Sequence, residues 1–155
     1  MAIRKILIID ENEASLRRVS KPVKEYNVKL SDLLDDLHET LKKADGLGLA
    51  AAQVGILRRV AVVVDAETEK LYELINPVVI SAEGEAIVDE GCLSIPKNYQ
   101  KTKRPNKVTV RTNTRDGGVA EYTGEGMLAR AFCHEIDHMD GILFIDRVKE
   151  QGNID

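Results

Sequence analysis

The segment His134-Glu135-Ile136-Asp137-His138 constrains the fold of this chain more than any other feature. Residues four apart share one face of a helix, with Cβ atoms about 5–6 Å apart. The two imidazoles can therefore bind one metal ion if the segment is helical. A glutamate beside the first histidine can reach a water on that metal. The chain holds 3 histidines in all, so a chance arrangement explains the pattern poorly. It predicts a helix from about Glu125 to Asp140, closed by Gly141, that carries a metal site.

Two histidines leave this predicted site one protein ligand short. Phe144 stands where the third histidine of the HExxHxxGxxH class would be, and Glu150 is the one glutamate that follows. The third ligand is therefore expected upstream, and the candidate is Cys92, whose sulfur is a soft ligand. Cys133 points about 100° away around the helix and is interpreted as a buried thiol. One thiolate and two imidazoles leave an open position, as in catalytic sites, and zinc, ferrous iron, nickel and cobalt all suit them.

The same helix carries small and apolar residues in line with the two histidines. Met127 lies two turns and Ala131 one turn before His134, on the stripe that ends at His138. One interpretation is that they belong to the ordinary core. The other is that they form one wall of a pocket for an apolar side chain beside the metal.

A third motif is rich in small residues and runs from Gly46 to Gly55. It predicts a helix stop followed by a tightly packed segment, because small residues allow close approach of another backbone. A phosphate-binding loop is the alternative, but the motif lacks the Gly-Lys-Ser/Thr ending and follows no strand. Gln53 supplies an amide donor and acceptor within it.

The order of the predicted elements indicates the fold class. We expect a first strand over 1–10, a helix capped by Ser31 and stopped at Gly46, and then a region of strands that ends in a hairpin at 116–118. This order predicts an α+β fold, with largely antiparallel sheets around a C-terminal helix carrying HExxH and an additional N-terminal helix.

Composition bounds the class of protein. The 155 residues, 43% of them hydrophobic, predict a single domain over 1–155. A net charge of −4 argues against general nucleic-acid binding, DNA included. The stretch Lys97–Lys107 is basic, and it is interpreted as a solvated loop or as a contact for an anionic partner. No apolar run reaches the length of a membrane span, and no export signal is recognisable. We therefore expect a cytoplasmic protein whose two cysteines form no disulfide.

Together, the segments Gly46–Gln53, Glu90–Ser94 and His134–His138 resemble the three signature motifs of bacterial peptide deformylases, in the same order and at similar separations. The resemblance implies a hydrolase that acts in protein biosynthesis. Its reaction removes the formyl group from N-formylmethionine on nascent peptides and releases formate. It also implies one divalent metal ion, with Fe2+ expected and Zn2+, Ni2+ or Co2+ as substitutes.

The resemblance assigns a role to each matching residue. Cys92, His134 and His138 would bind the metal, with Glu135 as general base and acid. Gln53 and the backbone N–H of Leu93 would donate to the oxyanion. The remaining matches would bind substrate, the first three by pairing with the peptide as an added strand and the last two by lining the methionine pocket: Leu47, Gly48, Gly91, Met127 and Ala131.

Three departures from the family pattern affect these expectations. Met139 replaces the usual leucine, and Tyr99 stands at a loop position where some members carry an arginine that contacts the peptide. The polar segment 149–155 implies that a C-terminal helix for docking on the ribosome is missing, so ribosome contact would be transient and could use Lys97–Lys107. Two other classes remain open: a metallopeptidase, and a metal- or peptide-binding module without catalysis. Intact Glu135 and Gln53 argue against the second.

Overall fold

The computed structural model describes residues 2–150. It contains four α-helices, seven strands and one 3-10 turn. The helices are α1 Ile9–Leu16, α2 Val28–Ala44, α3 Met127–Met139 and α4 Phe144–Glu150, and the 3-10 turn is Ala51–Val54. The strands are β1 Gly48–Ala50, β2 Val60–Val64, β3 Leu71–Glu83, β4 Ala86–Cys92, β5 Ile95–Arg104, β6 Lys107–Asn113 and β7 Val119–Glu125.

The strands form two antiparallel sheets. Five of them pair in the order β1-β2-β3-β6-β7, and β4 pairs with β5 alone. Strand β2 is buried on both faces, since its side chains alternate between two apolar clusters. Val60 and Val62 pack with the leucines of α2, whereas Ala61 and Val63 pack with the cluster that includes Phe132 of α3. The predicted α+β fold around the HExxH helix is confirmed. The five-stranded sheet packs against one face of that helix.

Helix α2 begins earlier than predicted. Its N-cap is Asn27, whose side-chain oxygen accepts a 3.2 Å hydrogen bond from the backbone N–H of Leu30. Ser31, the predicted cap, lies inside the first turn because Asn27 already satisfies a free N–H group there. The helix ends at Asp45, which adopts the left-handed conformation with φ 55°. Gly46 packs closely under the Leu93 side chain, since a Cβ there would lie 2.8 Å from Leu93 Cδ1.

The predicted first strand over 1–10 is wrong. Residues 2–8 form no strand, and α1 begins at Ile9. Two of their apolar side chains are half-buried against different clusters without a sheet, Ile6 against the cluster that includes the leucines of α2 and Leu7 against the cluster that includes Leu16 and Phe144. Two backbone bonds hold the segment, from the N–H of Leu7 to Gln53 O at 2.7 Å and from the N–H of Ile9 to Ser94 O at 2.9 Å. The segment therefore links the motif that contains Gln53 to the motif that contains Ser94.

The basic stretch Lys97–Lys107 is not a loop. Most of it forms β5, so Tyr99 also lies on a strand rather than in a loop. Arg104, within the same stretch, is buried with 4% exposure. None of the helices among residues 2–150 is long and apolar enough to cross a bilayer. The segment 151–155, part of the polar end where we expect no docking helix, lies outside the described residues.

Candidate active site

Helix α3 presents both histidines of HExxH to the turn between β4 and β5. The helix starts after Gly126, whose φ of 59° a side chain would disfavour. The rings of His134 and His138 stack edge to face, with centroids 4.9 Å apart. Cys92 ends β4 opposite them, so a helix and a separate hairpin supply the three predicted ligands.

The predicted ligand atoms converge on one point. One donor atom each from Cys92, His134 and His138 lie within 4.8 Å of one another. The Sγ of Cys92 is 3.3 Å from Nε2 of His138. Both histidines are buried, at 8% and 1% exposure. Sulfur and two ring nitrogens held this closely fit a divalent transition metal with one position left for another ligand.

A buried ion network orients His134 from behind. The Glu90 carboxylate lies 2.6 Å from His134 Nδ1 and accepts two hydrogen bonds from the Arg104 guanidinium, at 2.7 and 2.9 Å. Arg104 also donates to Asp137 at 2.8 Å, and Arg147 of α4 donates to the same carboxylate at 2.7 Å. Because Glu90 engages Nδ1, the Nε2 atom of His134 is left for a metal.

The charges of this network shift the neighbouring pKa values. Burial opposes ionisation of Glu90, but its hydrogen bonds with Arg104 and His134 hold its pKa well below the usual range. Burial also disfavours the charged form of His134, yet its interactions with the Cys92 side chain raise its pKa. Burial and the charge of His134 lower the pKa of His138. No pattern in the sequence indicated this network, although Glu90 and Asp137 both lie inside the motifs.

Glu135 is a buried carboxylate with little to hold it ionised. It is 3% exposed, and its Oε1 atom has no hydrogen-bond partner among the described residues. Its Oε2 atom lies so near the backbone of Gly48 that a Cβ there would be 2.4 Å away. Burial raises the pKa of Glu135 to about 7. A carboxylate with that pKa can take up and release a proton at neutral pH.

Gln53 reaches the same place from the 3-10 turn. Its Oε1 atom accepts a 2.9 Å hydrogen bond from the N–H of Ala50, which fixes which end of the amide is the donor. Its Nε2 atom donates to Ser94 Oγ at 3.1 Å and lies 3.6 Å from Cys92 Sγ. The amide N–H2 therefore faces the cluster of ligand atoms. The predicted helix stop and tight packing hold for this motif.

The predicted residues surround one cavity of about 560 Å³. All of them line it except His138, which is buried behind. Leu93 lines it from the turn after Cys92. Met127 is 50% exposed, so its interpretation as ordinary core is wrong. The other lining residues from the predicted set are Leu47, Gly48, Gln53, Gly91, Cys92, Ala131, His134 and Glu135.

Gly91 and Tyr99 form one wall of the cavity together. A Cβ on Gly91 would lie 2.4 Å from Cε1 of Tyr99, so the ring lies directly on the glycine backbone. Tyr99 is 74% exposed and lines the cavity mouth.

Cys133 is not one of the three predicted ligands. It packs against the apolar cluster that includes Phe132 of α3, and burial raises its pKa to about 11. Both cysteines are free, as expected.

Comparisons with known proteins agree with this geometry. The sequence model of the polypeptide deformylase family matches residues 3–153. A peptide deformylase of Caldanaerobacter subterraneus is 53% identical over 148 residues, covering 96% of this chain and 91% of the relative. Peptide deformylase 2 of Clostridium acetobutylicum is 47% identical over 151 residues, covering 97% and 98%.

Solved structures show the same relationship. The crystal structure of a peptide deformylase from Legionella pneumophila superposes with a TM-score of 0.88 at 42% identity, covering 95% of this chain and 86% of that one. The peptide deformylase from Thermotoga maritima also gives 0.88, at 32% identity, covering 96% and 99%. With the sequence matches, these structures show that the chain belongs to the polypeptide deformylase family of enzymes.

Proposed function

We propose that this protein hydrolyses the formyl group from the N-formylmethionine of new polypeptides, giving formate and a free amino terminus. The observation that carries the proposal is the convergence on one cavity of the Cys92/His134/His138 trio, the buried Glu135 carboxylate and the Gln53 amide. The family relationship supports it. We assign this activity to one catalytic domain over 1–155.

Cys92, His134 and His138 would hold one divalent ion. Fe2+ is the proposed ion, and Zn2+, Ni2+ or Co2+ are the proposed substitutes, since all accept thiolate and imidazole ligands. Such an ion polarises a carbonyl and lowers the pKa of bound water to about 7. The Glu90 contact with His134 Nδ1 keeps the ring in the tautomer that can ligate.

Proton transfer falls to Glu135. Its carboxylate would take a proton from the attacking water and deliver it to the leaving nitrogen, and a pKa of about 7 suits both steps near neutral pH. The amide N–H2 of Gln53 and the backbone N–H of Leu93 would donate to the formyl oxygen as it gains charge. The loss of one such donor costs roughly 3–4 kcal/mol of transition-state stabilisation in comparable sites.

The substrate would bind as an added strand between β1 and β4. Strand β1 pairs with β2 alone and β4 with β5 alone, so each has a second edge free of strand partners among the described residues. Leu47, Gly48 and Gly91 line the cavity beside these edges, and their free backbone groups can pair with a peptide; the carbonyl oxygen of Leu47 already accepts a 2.8 Å hydrogen bond from the N–H of Val64. Met127 and Ala131 would then receive the methionine side chain. Exposed Met127 has a flexible thioether suited to that apolar contact.

We further propose that the substrates are nascent chains, met in the cytoplasm during transient contact with the ribosome. Strand β5 presents Lys97, Lys101 and Lys103 to solvent, which supplies cationic side chains for such a contact.

The test is release of formate from formyl-Met-Ala-Ser amide by protein purified without oxygen and loaded with Fe2+. Glu135→Ala is expected to abolish turnover while the metal stays bound, because the carboxylate is placed as a base and not as a ligand. Glu67→Ala removes an exposed glutamate outside the cavity lining and serves as the matched control. Unchanged turnover in Glu135→Ala removes Glu135 from the mechanism, and no formate from well-folded, metal-loaded protein refutes the activity.

A further inference from the structure

The mouth of the active-site cavity carries charged side chains that the proposed reaction does not use. Two of them are cations, Lys97 of β5 and Arg130 of α3, and two are anions, Asp45 and Asp89. Lys97 and both aspartates are exposed, and Arg130 is half-buried. Groups at the mouth meet the part of a substrate that extends beyond the methionine.

The anions at the mouth already have lysines nearby. Asp89 stands directly opposite Lys101 in the β4–β5 ladder, and opposite charges across a ladder attract. Asp45 follows Lys42 and Lys43 in the last turn of α2. These lysines reduce the negative field that the two aspartates exert on a substrate.

The two cations, like the two aspartates, form no ion pair among residues 2–150. Neither Lys97 nor Arg130 lies within 4.0 Å of an acidic group among residues 2–150. Within that part of the chain, the Arg130 guanidinium makes one hydrogen bond, from Nη1 to the carbonyl oxygen of Asp89 at 3.5 Å. Most of its five N–H donors are therefore available to a ligand. Two cationic side chains without an ion-pair partner among residues 2–150 therefore stand at this mouth, with N–H donors available.

The contact between Arg130 and Asp89 also fixes where a peptide meets the guanidinium. Asp89 and Gly91 both line the cavity two residues apart on β4, whose register with β5 shifts between Glu90 and Cys92. The spacing between them is about 7 Å. A peptide paired at Gly91 therefore reaches Arg130 about two residues further on.

The backbone of Lys97 supports a role at the mouth. Lys97 adopts a left-handed conformation with φ 61°, which is rare for residues other than glycine and costs free energy. Its charged side chain is thus held at the cavity by a position that glycine would suit better. Such strain at a ligand-facing position motivates a functional test.

We propose that Lys97 and Arg130 select substrates that carry a carboxylate two or three residues after the methionine. This inference rests on the proposed deformylase function. The carboxylate can be the side chain of an Asp or Glu in a long polypeptide, or the free carboxyl terminus of a short peptide. A guanidinium and an ammonium recognise both sources by charge-assisted hydrogen bonds.

The experiment compares kcat/KM for amidated formyl-Met-Ala-Xaa-Ser peptides in which Xaa is Asp, Asn or Lys. Asp is expected to exceed its neutral isostere Asn by about threefold to tenfold at low salt, and the ratio should shrink as salt screens the charges. A second arm compares formyl-Met-Ala-Ser as the free acid and as the amide, which isolates the terminal carboxylate. Equal rates in both arms overturn the inference.

Variants then assign the effect to the two cations. Lys97→Gly removes the ammonium and relieves the left-handed backbone, so this variant should fold, and Arg130→Gln removes the other charge. In the double variant the Asp/Asn ratio is expected to fall to one, whereas Lys24→Gln, a lysine outside the cavity lining, should keep it. A double variant that retains the ratio refutes the assignment.

A binding readout separates this inference from the reaction itself. In Glu135→Gln the Kd values of the same peptides report recognition without turnover, and the same Asp/Asn ratio is expected. Formate release with no preference for Asp overturns this inference alone. No formate from any peptide overturns the deformylase function and this inference with it.

Discussion

Replacing Glu135 with glutamine should stabilise the metal-free protein, and more so as the pH rises. The carboxylate is 3% exposed and one of its oxygens has no partner among the described residues. Burial raises its pKa from 4.5 to about 7. A pKa that differs by one between the folded and unfolded states corresponds to about 1.4 kcal/mol of free energy. Ionised Glu135 therefore costs the folded state about 3 kcal/mol.

The sign follows from which state holds the proton. Below pH 4.5 the carboxyl is protonated in both states and the folded protein has its full stability. As the pH rises towards 7, the unfolded chain gives up its proton before the folded chain does, and this stability is lost. Glutamine has no proton to exchange. The stability of Glu135→Gln relative to wild type should therefore increase by about 2–3 kcal/mol between pH 5 and pH 8.

The assay is urea unfolding in the presence of a chelator at both pH values, with Glu67→Gln as a control for net charge. Comparing the change between the two pH values cancels any constant effect of the amide. Parallel stability profiles for wild type and Glu135→Gln would refute the idea that an uncompensated carboxylate is buried at this position.

Three further changes test other parts of the structure. Cys92→Ser should lower the metal content measured by mass spectrometry, since a hydroxyl is a poor substitute for a thiolate, and full occupancy would contradict the ligand assignment. Arg104→Leu should destabilise the protein by about 3–5 kcal/mol in urea unfolding because Glu90 and Asp137 lose a buried counter-ion, and a loss below about 1 kcal/mol would show that water replaces it. Asn27→Ala should cost about 1 kcal/mol through loss of the α2 cap, and no change in the unfolding midpoint would show that the cap contributes nothing.

The sequence predicted those parts of the site whose spacing is set within one element. Histidines four apart require a helix, so the HExxH segment predicted α3 to within two residues at its start and one at its end. Cys92 could be inferred by counting the ligands that the motif lacks. The strands β2, β6 and β7 followed from their β-branched residues and the turn at 116–118.

Features that depend on distant contacts were missed or wrong. The hairpin β4–β5 buries Glu90, Thr102 and Arg104 on one face, so its pattern is polar where a buried strand is expected to be apolar. Those residues are satisfied only by one another and by His134 and Asp137 of α3. The apolar start of the chain resembled a strand because the sequence does not show that two separate clusters bury it.

The contact between Gly48 and Glu135 has a consequence for how chains of this family can diverge. Any side chain at position 48 would occupy the space of the Glu135 carboxylate, so drift at one position is barred as long as the other keeps its acid. In a lineage that acquires a side chain at 48, the carboxylate has moved or has been given up. That single codon would therefore mark gene copies whose carboxylate at 135 no longer lies where it does here, before any of their products is purified.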